Sequence, residues 1–196
     1  SSGVPVGIDY LVELGITHVH LLPVYDYATV DESKPDEQFN WGYDPKNYNV
    51  PEGSYSTDPY NGEVRIKEYK QMVQALHDAG IGVIMDWVPA HFPKDSIGLM
   101  NFDGEPCYEY KNPQMGERED WGTKVFDFGR NEVRCFLASS AMYWLEKYHI
   151  DGIRVDAVSS MLYRDYGKEG NEWERNQFGG RENIEAIGML RDINTA

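Results

Sequence analysis

The sequence predicts an α/β fold, a partial (β/α)8 TIM barrel of about three parallel strands and four helices with long loops after the strands. Three observations lead there. An amphipathic helix, a short break and an apolar strand recur in that order three times. The strands are nearly continuous in apolar residues, as parallel strands covered on both faces are. The segments after the strands are long and rich in Trp, Tyr, Gly, Pro and Asp. Ordered loops longer than about 15 residues are usually functional, and a barrel keeps its active site in the loops at the C-terminal ends of its strands.

Each element has its own justification. Ile8, Leu11, Val12 and Leu14 form the apolar stripe of a first helix that Gly15 ends, and residues 16–24 (ITHVHLLPV) follow as a strand. Ile66, Tyr69, Met72, Val73, Leu76 and Ala79 recur at helical spacing, with Gly80 as the stop, before the strand 81–88 (IGVIMDWV). Asn131 reads as the N-cap of a third helix carrying Val133, Phe136, Leu137, Ser140, Tyr143, Trp144 and Tyr148. The strand 150–158 (IDGIRVDAV) comes next, and a last helix is expected from about Arg181 to Asp192. Between these elements lie the loops, about 25–63 and 89–130. Residues 1–196 thus read as one stretch of a catalytic barrel, first helix to fourth. A closed barrel takes eight strands and ~250 residues, so the chain is expected to be a fragment.

Composition narrows the function. Lys plus Arg number 18 against 33 Asp plus Glu, a formal charge of −15, which argues against a nucleic-acid partner, is compatible with a neutral polar ligand and reads first as a device of solubility. No apolar run approaches the ~20 residues that span a bilayer, so no membrane partner is expected. Cys107 and Cys135, the two cysteines, form neither a disulfide framework nor a metal-like spacing, and favour a reducing cytoplasm.

Two carboxylates interrupt apolar strands, Asp86 in VIMDWV and Asp156 in IRVDAV. Burying an ionised group is costly, so each needs a partner or a task. Arg154 precedes Asp156 by two residues, on the same face of a strand and near enough to keep it ionised. An ionised, oriented carboxylate suits covalent glycosyl transfer, and a structural ion pair explains the spacing equally well. His91 lies five residues after Asp86, past Pro89, where it could bond a sugar hydroxyl or cap a loop. His18 and His20 alternate on one strand, as two metal ligands or as packed histidines. Trp41, Tyr43, Tyr48, Tyr55 and Tyr60 offer flat faces for stacking on a sugar, or for loop packing. A metal-dependent barrel hydrolase built on His18 and His20, and a non-catalytic glucan-binding module, stand beside the glycosyl-transfer reading.

Together, D-W-V-P-A-H at 86–91 and G-I-R-V-D-A-V at 152–158 resemble the first two sequence signatures of the α-amylase superfamily, at the ends of its third and fourth barrel strands. The resemblance covers essentially the whole chain. It implies a retaining mechanism with a glycosyl-enzyme on Asp156, oriented by Arg154. Asp86 and His91 would line the subsite of the attacked sugar, and Tyr43, in N-W-G-Y-D-P, would stack beneath it. Trp41 of the same motif is a further candidate for substrate binding. A retaining enzyme needs a second carboxyl group about 5–5.5 Å from the nucleophile. In the family it belongs to the fifth strand, and a His-Asp pair to the seventh, so residues 1–196 alone are expected to be inactive. Glu172, Glu182 and Glu185 are not assigned that role.

The two portions resemble different subfamilies. Residues 1–86, with F-N-W-G-Y-D-P-K-N-Y-N-V-P-E-G-S-Y-S-T-D-P at 39–59, resemble type I pullulanases, which hydrolyse α-1,6 branches. Residues 87–196 resemble glycogen branching enzymes, which transfer α-1,4 segments. That second resemblance rests on W-V-P-A-H-F-P-K-D at 87–95, S-M-L-Y-R-D-Y at 160–166 and G-G-R-E-N-I-E-A-I at 179–187. The changeover falls in I-G-V-I-M-D. Branching of an α-1,4/α-1,6-linked glucan is the first expectation and pullulanase-type hydrolysis the alternative. The outer strands, 16–24 and 150–158, would leave open barrel edges through which the chain could self-associate.

The resemblance also bears on cofactors. Many family members carry Asn before the His of the first signature, where it binds structural calcium; Ala90 stands there instead, so neither calcium nor another cofactor is expected. The melting temperature should be the same in calcium as in chelator, and a calcium-dependent rise in a thermal scan would overturn this.

Overall fold

In the computed structural model, which describes residues 3–170 and 172–196, the three apolar runs form one sheet, each strand shorter than its run. The elements are α1 (Ile8–Leu14), β1 (His18–Leu21), β2 (Tyr25–Tyr27), β3 (Pro45–Pro51), a 3-10 turn (Gly53–Tyr55), α2 (Gly62–Asp78), β4 (Gly82–Trp87) and β5 (His91–Pro93). Then come α3 (Pro113–Gly116), β6 (Glu117–Arg118), β7 (Thr123–Val125), α4 (Asn131–Tyr148), β8 (Gly152–Val155), α5 (Val158–Leu162) and α6 (Ile184–Thr195). The apolar strands lie in the order β1-β4-β8, with β1 and β4 parallel and His18 to Leu21 opposite Gly82 to Met85. β1 and β8 are the edges of this sheet, as the sequence led us to expect.

The chain divides into two compact units. One holds residues up to Tyr43, Tyr48–Trp87 and Ala141–Arg154; the other holds Asp44–Asn47, Val88–Ser140 and Val155–Ala196. In the first, Val83, Met85 and Trp87 alternate along β4 and are fully buried. α2 contributes Tyr69, Val73 and Leu76 from its buried side. The Trp144 ring stacks on Tyr148 at 4.3 Å and meets Tyr69 at 5.4 Å, and its indole N–H donates to the Tyr48 carbonyl at 2.8 Å. Aromatic rings supply most of this core, and the buried indole finds the partner it needs. In the second unit, Phe92 packs on Phe126 at 4.7 Å, and Phe136 closes on Tyr108 at 5.2 Å. Met161, Ala186 and Met189 are buried there as well.

Several boundaries differ from those read in the sequence. The strands expected at 16–24, 81–88 and 150–158 shrink to His18–Leu21, Gly82–Trp87 and Gly152–Val155. β1 stops two residues short of Pro23, which has no N–H to offer a ladder. β8 stops before Ala157, whose φ of 52° is left-handed. Asn131 is the first residue of α4 rather than its cap, a one-residue difference. The last helix starts at Ile184, not Arg181, because the Asn183 side chain caps it, accepting from the Ala186 N–H at 3.2 Å. The three expected barrel strands are the sheet β1-β4-β8 and the four expected helices are α1, α2, α4 and α6; the described residues hold five further strands and two short helices, α3 and α5. The additions lie mostly in the two long loops: β2 pairs with β3, and β5, β7 and β6 form an antiparallel sheet in that order. β2, β5, β6 and β7, of two or three residues, have no period to read, and the seven-residue β3 runs from Pro45 to Pro51 without an alternating pattern of burial. Among the described residues no helix is long and apolar enough to cross a membrane.

The Asn183 cap can be tested directly. Asn183→Ala should lower stability by about 1 kcal/mol in urea denaturation, and an unchanged midpoint would show that α6 does not depend on it.

Candidate functional site

Asp86 is the penultimate residue of β4, on the strand face of Gly82 and Ile84, and is 1% exposed. A carboxylate in that position needs compensation for its lost hydration, and the neighbouring strands supply it. From β8, Arg154 Nη1 donates to Asp86 Oδ1 at 2.9 Å and to Oδ2 at 2.8 Å. From β1, His20 Nε2 lies 3.7 Å from Oδ2. The Tyr43 hydroxyl donates to Oδ2 at 2.8 Å. Three groups separated in sequence thus meet on one carboxylate. The sequence had paired Arg154 with Asp156 and did not reveal its bonds to Asp86, which join residues 68 apart.

A glycine delivers Tyr43. Gly42 has φ of 86°, and a β-carbon there would lie 2.5 Å from the Pro23 carbonyl oxygen. Its N–H donates to Asn40 Oδ1 at 2.7 Å, which closes the turn. Only glycine meets both demands without strain. Trp41, on the other side of Gly42, is 60% exposed, with its ring edge-on to Phe39 at 5.0 Å. Of the other aromatics in this loop, Tyr48 is a core residue stacked on Tyr25, whereas Tyr55 and Tyr60 are exposed.

The metal-ligand alternative for His18 and His20 finds no support in the geometry. His18 Nδ1 is 3.0 Å from the Thr17 hydroxyl, and its ring covers Gly82, where a β-carbon would collide with it. The cluster of potential metal ligands among the described residues is Asp26, Glu32 and Glu52, which includes neither histidine. That cluster is taken up by structure: Arg65 pairs with Glu32 and lies 3.7 Å from Asp26, and Glu52 accepts from the Tyr27 and Ser54 N–H groups at 3.1 and 2.9 Å.

The second unit carries His91 and Asp156. His91 opens the three-residue strand β5 opposite Val125 of β7 and is 5% exposed. Burial, reinforced by the Arg118 charge, lowers its pKa from the ordinary 6.5 to about 4, against the opposing pull of Asp120 and Asp44. A neutral imidazole can both donate and accept a hydrogen bond. Asp156 is half-buried and directly precedes Ala157, whose left-handed backbone turns the chain out of the β8 segment into α5. Ser160 secures that turn, its N–H and hydroxyl both donating to the Ala157 carbonyl, at 2.9 and 2.7 Å. Left-handed backbone costs a non-glycine residue about 1 kcal/mol or more, so this turn is held by its surroundings.

Sequence reasoning missed a group around Arg118. Its guanidinium lies over the Trp121 ring at 4.4 Å and the Tyr166 ring at 4.9 Å. Nη2 donates to Asp120 at 2.6 Å and Nη1 donates to the Tyr166 carbonyl. The Trp121 ring in turn lies 5.1 Å from that of His91. The available cue was a Trp in a long loop closely preceded by Arg118 and Asp120. The glutamates left unassigned serve local structure: Glu185 accepts from Arg164 at 3.0 Å, Glu182 is 3.4 Å from the Asn176 amide, and Glu172 accepts from the Glu169 N–H at 3.4 Å.

Residues 2–100 match the family model described as alpha amylase, catalytic domain. The chain is 50% identical over 186 residues to a 1,4-alpha-glucan branching enzyme GlgB of Mycolicibacterium paratuberculosis, covering 95% of this chain and 23% of that protein. Among solved structures it resembles the pullulanase of Paenibacillus barengoltzii in complex with maltohexaose and alpha-cyclodextrin. The TM-score is 0.72 and the identity 42%, over 82% of this chain and 26% of that one. It also resembles the type I pullulanase of Bacillus subtilis complexed with maltose, at a TM-score of 0.73 and 31% identity, over 96% of this chain and 24% of that one. The chain therefore spans about a quarter of the length of the relatives it matches.

The buried histidine yields a pH dependence. As pH falls from 6.5 toward 4, an unfolded His91 takes up a proton that the folded one resists, so the unfolded state binds more protons and stability falls through that window. His91→Gln should lose less stability than the parent between pH 7 and pH 4.5, read as the shift in urea midpoint. Equal losses would mean that another group carries the effect.

Proposed function

The chain belongs to the α-amylase family, and on that premise we propose that it forms the first half of a (β/α)8 catalytic barrel, first helix to fourth, in an enzyme that acts on α-1,4/α-1,6-linked glucans. The observation that carries the proposal is the Asp86 cluster. Arg154, Tyr43 and His20 converge on a buried carboxylate near the C-terminal end of a parallel strand, the end where barrels keep their active sites.

Asp156 is the nucleophile of this proposal. Its carboxylate attacks the anomeric carbon, the glycosidic C–O bond breaks, and the departing oxygen takes a proton from a general acid that we do not assign to Glu172, Glu182 or Glu185. A glycosyl-enzyme results; the hydroxyl of a second glucan then attacks its anomeric carbon, giving its proton to the conjugate base of the same general acid and releasing the Asp156 carboxylate, to form a new branch. Arg154 orients the carboxylates. Asp86 accepts from hydroxyls of the attacked sugar, since a carboxylate offers about four acceptor sites and the contacts above do not exhaust them. His91 bonds the same sugar as a neutral imidazole, Tyr43 stacks beneath it, and Trp41 is a further stacking surface. Two-carboxylate chemistry calls for no cofactor. The free thiols of Cys107 and Cys135 support a cytoplasmic setting, and the edges β1 and β8 are the surfaces through which copies would self-associate. No nucleic-acid or membrane partner enters the proposal.

Branching is preferred because the branching-enzyme relative matches along 95% of the chain. The likeness to pullulanase structures favours a second reading, transfer of the same intermediate to water with cleavage of α-1,6 bonds.

The two differ in product. The complete polypeptide carrying these residues, given amylose, should create α-1,6 linkages visible by NMR without new reducing ends. Reducing ends released from pullulan would favour debranching instead. Asp156→Asn should lower either activity by roughly a thousandfold or more, and a variant of parental activity would remove Asp156 from the mechanism.

A further inference from the structure

Trp121 and Tyr166 are large aromatic residues left 38% and 39% exposed, and both are held in place. Their ring centroids are 6.0 Å apart with planes at 60°, and Arg118 lies over both. Arg118 itself is 5% exposed, so the rings rest on a fixed support. Gly167, at φ of 66°, allows the Tyr166 loop to close on it, since a β-carbon there would lie 2.8 Å from Arg118 Nη2 and 2.9 Å from Asp120 Oδ2. Other exposed aromatics, such as Tyr60 and Phe178, are 81% and 79% exposed. A ring already held in place loses little freedom when a ligand arrives.

The chemistry of the platform selects its ligand. The guanidinium of Arg118 is engaged by Asp120 and the Tyr166 carbonyl, so it presents no free cation to an anion. The Asp120 side chain is 39% exposed at the platform's edge, where it can accept from a hydroxyl. Two aromatic faces with a hydroxyl acceptor at their rim suit a neutral, hydroxyl-rich ring.

We propose that Trp121 and Tyr166, with Asp120 at their edge, form a stacking subsite for a glucosyl unit next to the one bound by His91, whose ring is 5.1 Å from Trp121. This rests on the glucan reading of His91 given above. The subsite holds the chain of an oligosaccharide rather than the reacting sugar, so it governs affinity for longer glucans.

The test uses the complete polypeptide with Asp156→Asn, so that sugar is bound and not consumed. Trp121→Ala and Tyr166→Ala should each weaken maltohexaose binding about tenfold by calorimetry, and Trp121→Phe should stay near the parent. In the parent, saturating maltohexaose should protect the Trp121 indole from chemical oxidation, read by mass spectrometry. That arm needs no variant, so it stands even if a substitution fails to fold. Alanine variants that bind like the parent, or Trp121 oxidised equally fast with and without sugar, overturn the subsite while leaving the glucan reading intact. A parent that binds no maltohexaose refutes both.

Discussion

A carboxylate withdrawn from water loses hydration that only well-placed donors can replace, and Asp86 at 1% exposure meets that condition through groups from three other segments. Arg154 comes from β8, His20 from β1 and Tyr43 from the loop before β3. The order β1-β4-β8 brings the first two within reach, because the strand bearing the acid lies between the strands bearing its partners. Removing either donor would leave a buried acid short of compensation, which is usually worse than never having buried it. Fold and site therefore impose one constraint on the first unit.

The second unit handles charge the opposite way. Around Asp86 the acid is buried and the Arg154 side chain is 46% exposed; around Arg118 the base is buried and the Asp120 side chain is 39% exposed. The first arrangement surrounds a carboxylate with donors. The second turns aromatic surface and one acceptor outward, and its buried charge also helps to keep His91 neutral. Both limit side-chain freedom, which is the condition for geometry to be set before a ligand binds.

Much of the fold was legible because helical and strand periods repeat along a contiguous segment. α1, α2, α4 and the three apolar strands lie where Leu11, Val73, Leu137 and Met85 suggested. The ends were less legible, because a cap such as Asn183 or a left-handed residue such as Ala157 acts through one bond or one dihedral angle. The β5-β7-β6 sheet escaped because its strands have two or three residues. In the candidate site, a lone Asp in an apolar strand marked Asp86 as needing partners, which the structure supplies. The contacts between distant segments were not legible: Arg154 reaches Asp86 across strands, and Arg118 reaches Tyr166 across 48 residues. No spacing rule spans such separations.

Gly42 shows how a site can be protected by a residue that touches no substrate. Its turn leaves no room for a β-carbon beside Pro23, yet Trp41, one residue earlier, is largely in solvent. Under mutation, position 41 is free to drift as binding preferences change, whereas position 42 is closed to side chains of any kind. Invariance at 42 across descendants of this sequence would then record selection on the path of the backbone, and a catalogue of ligand contacts would never explain it.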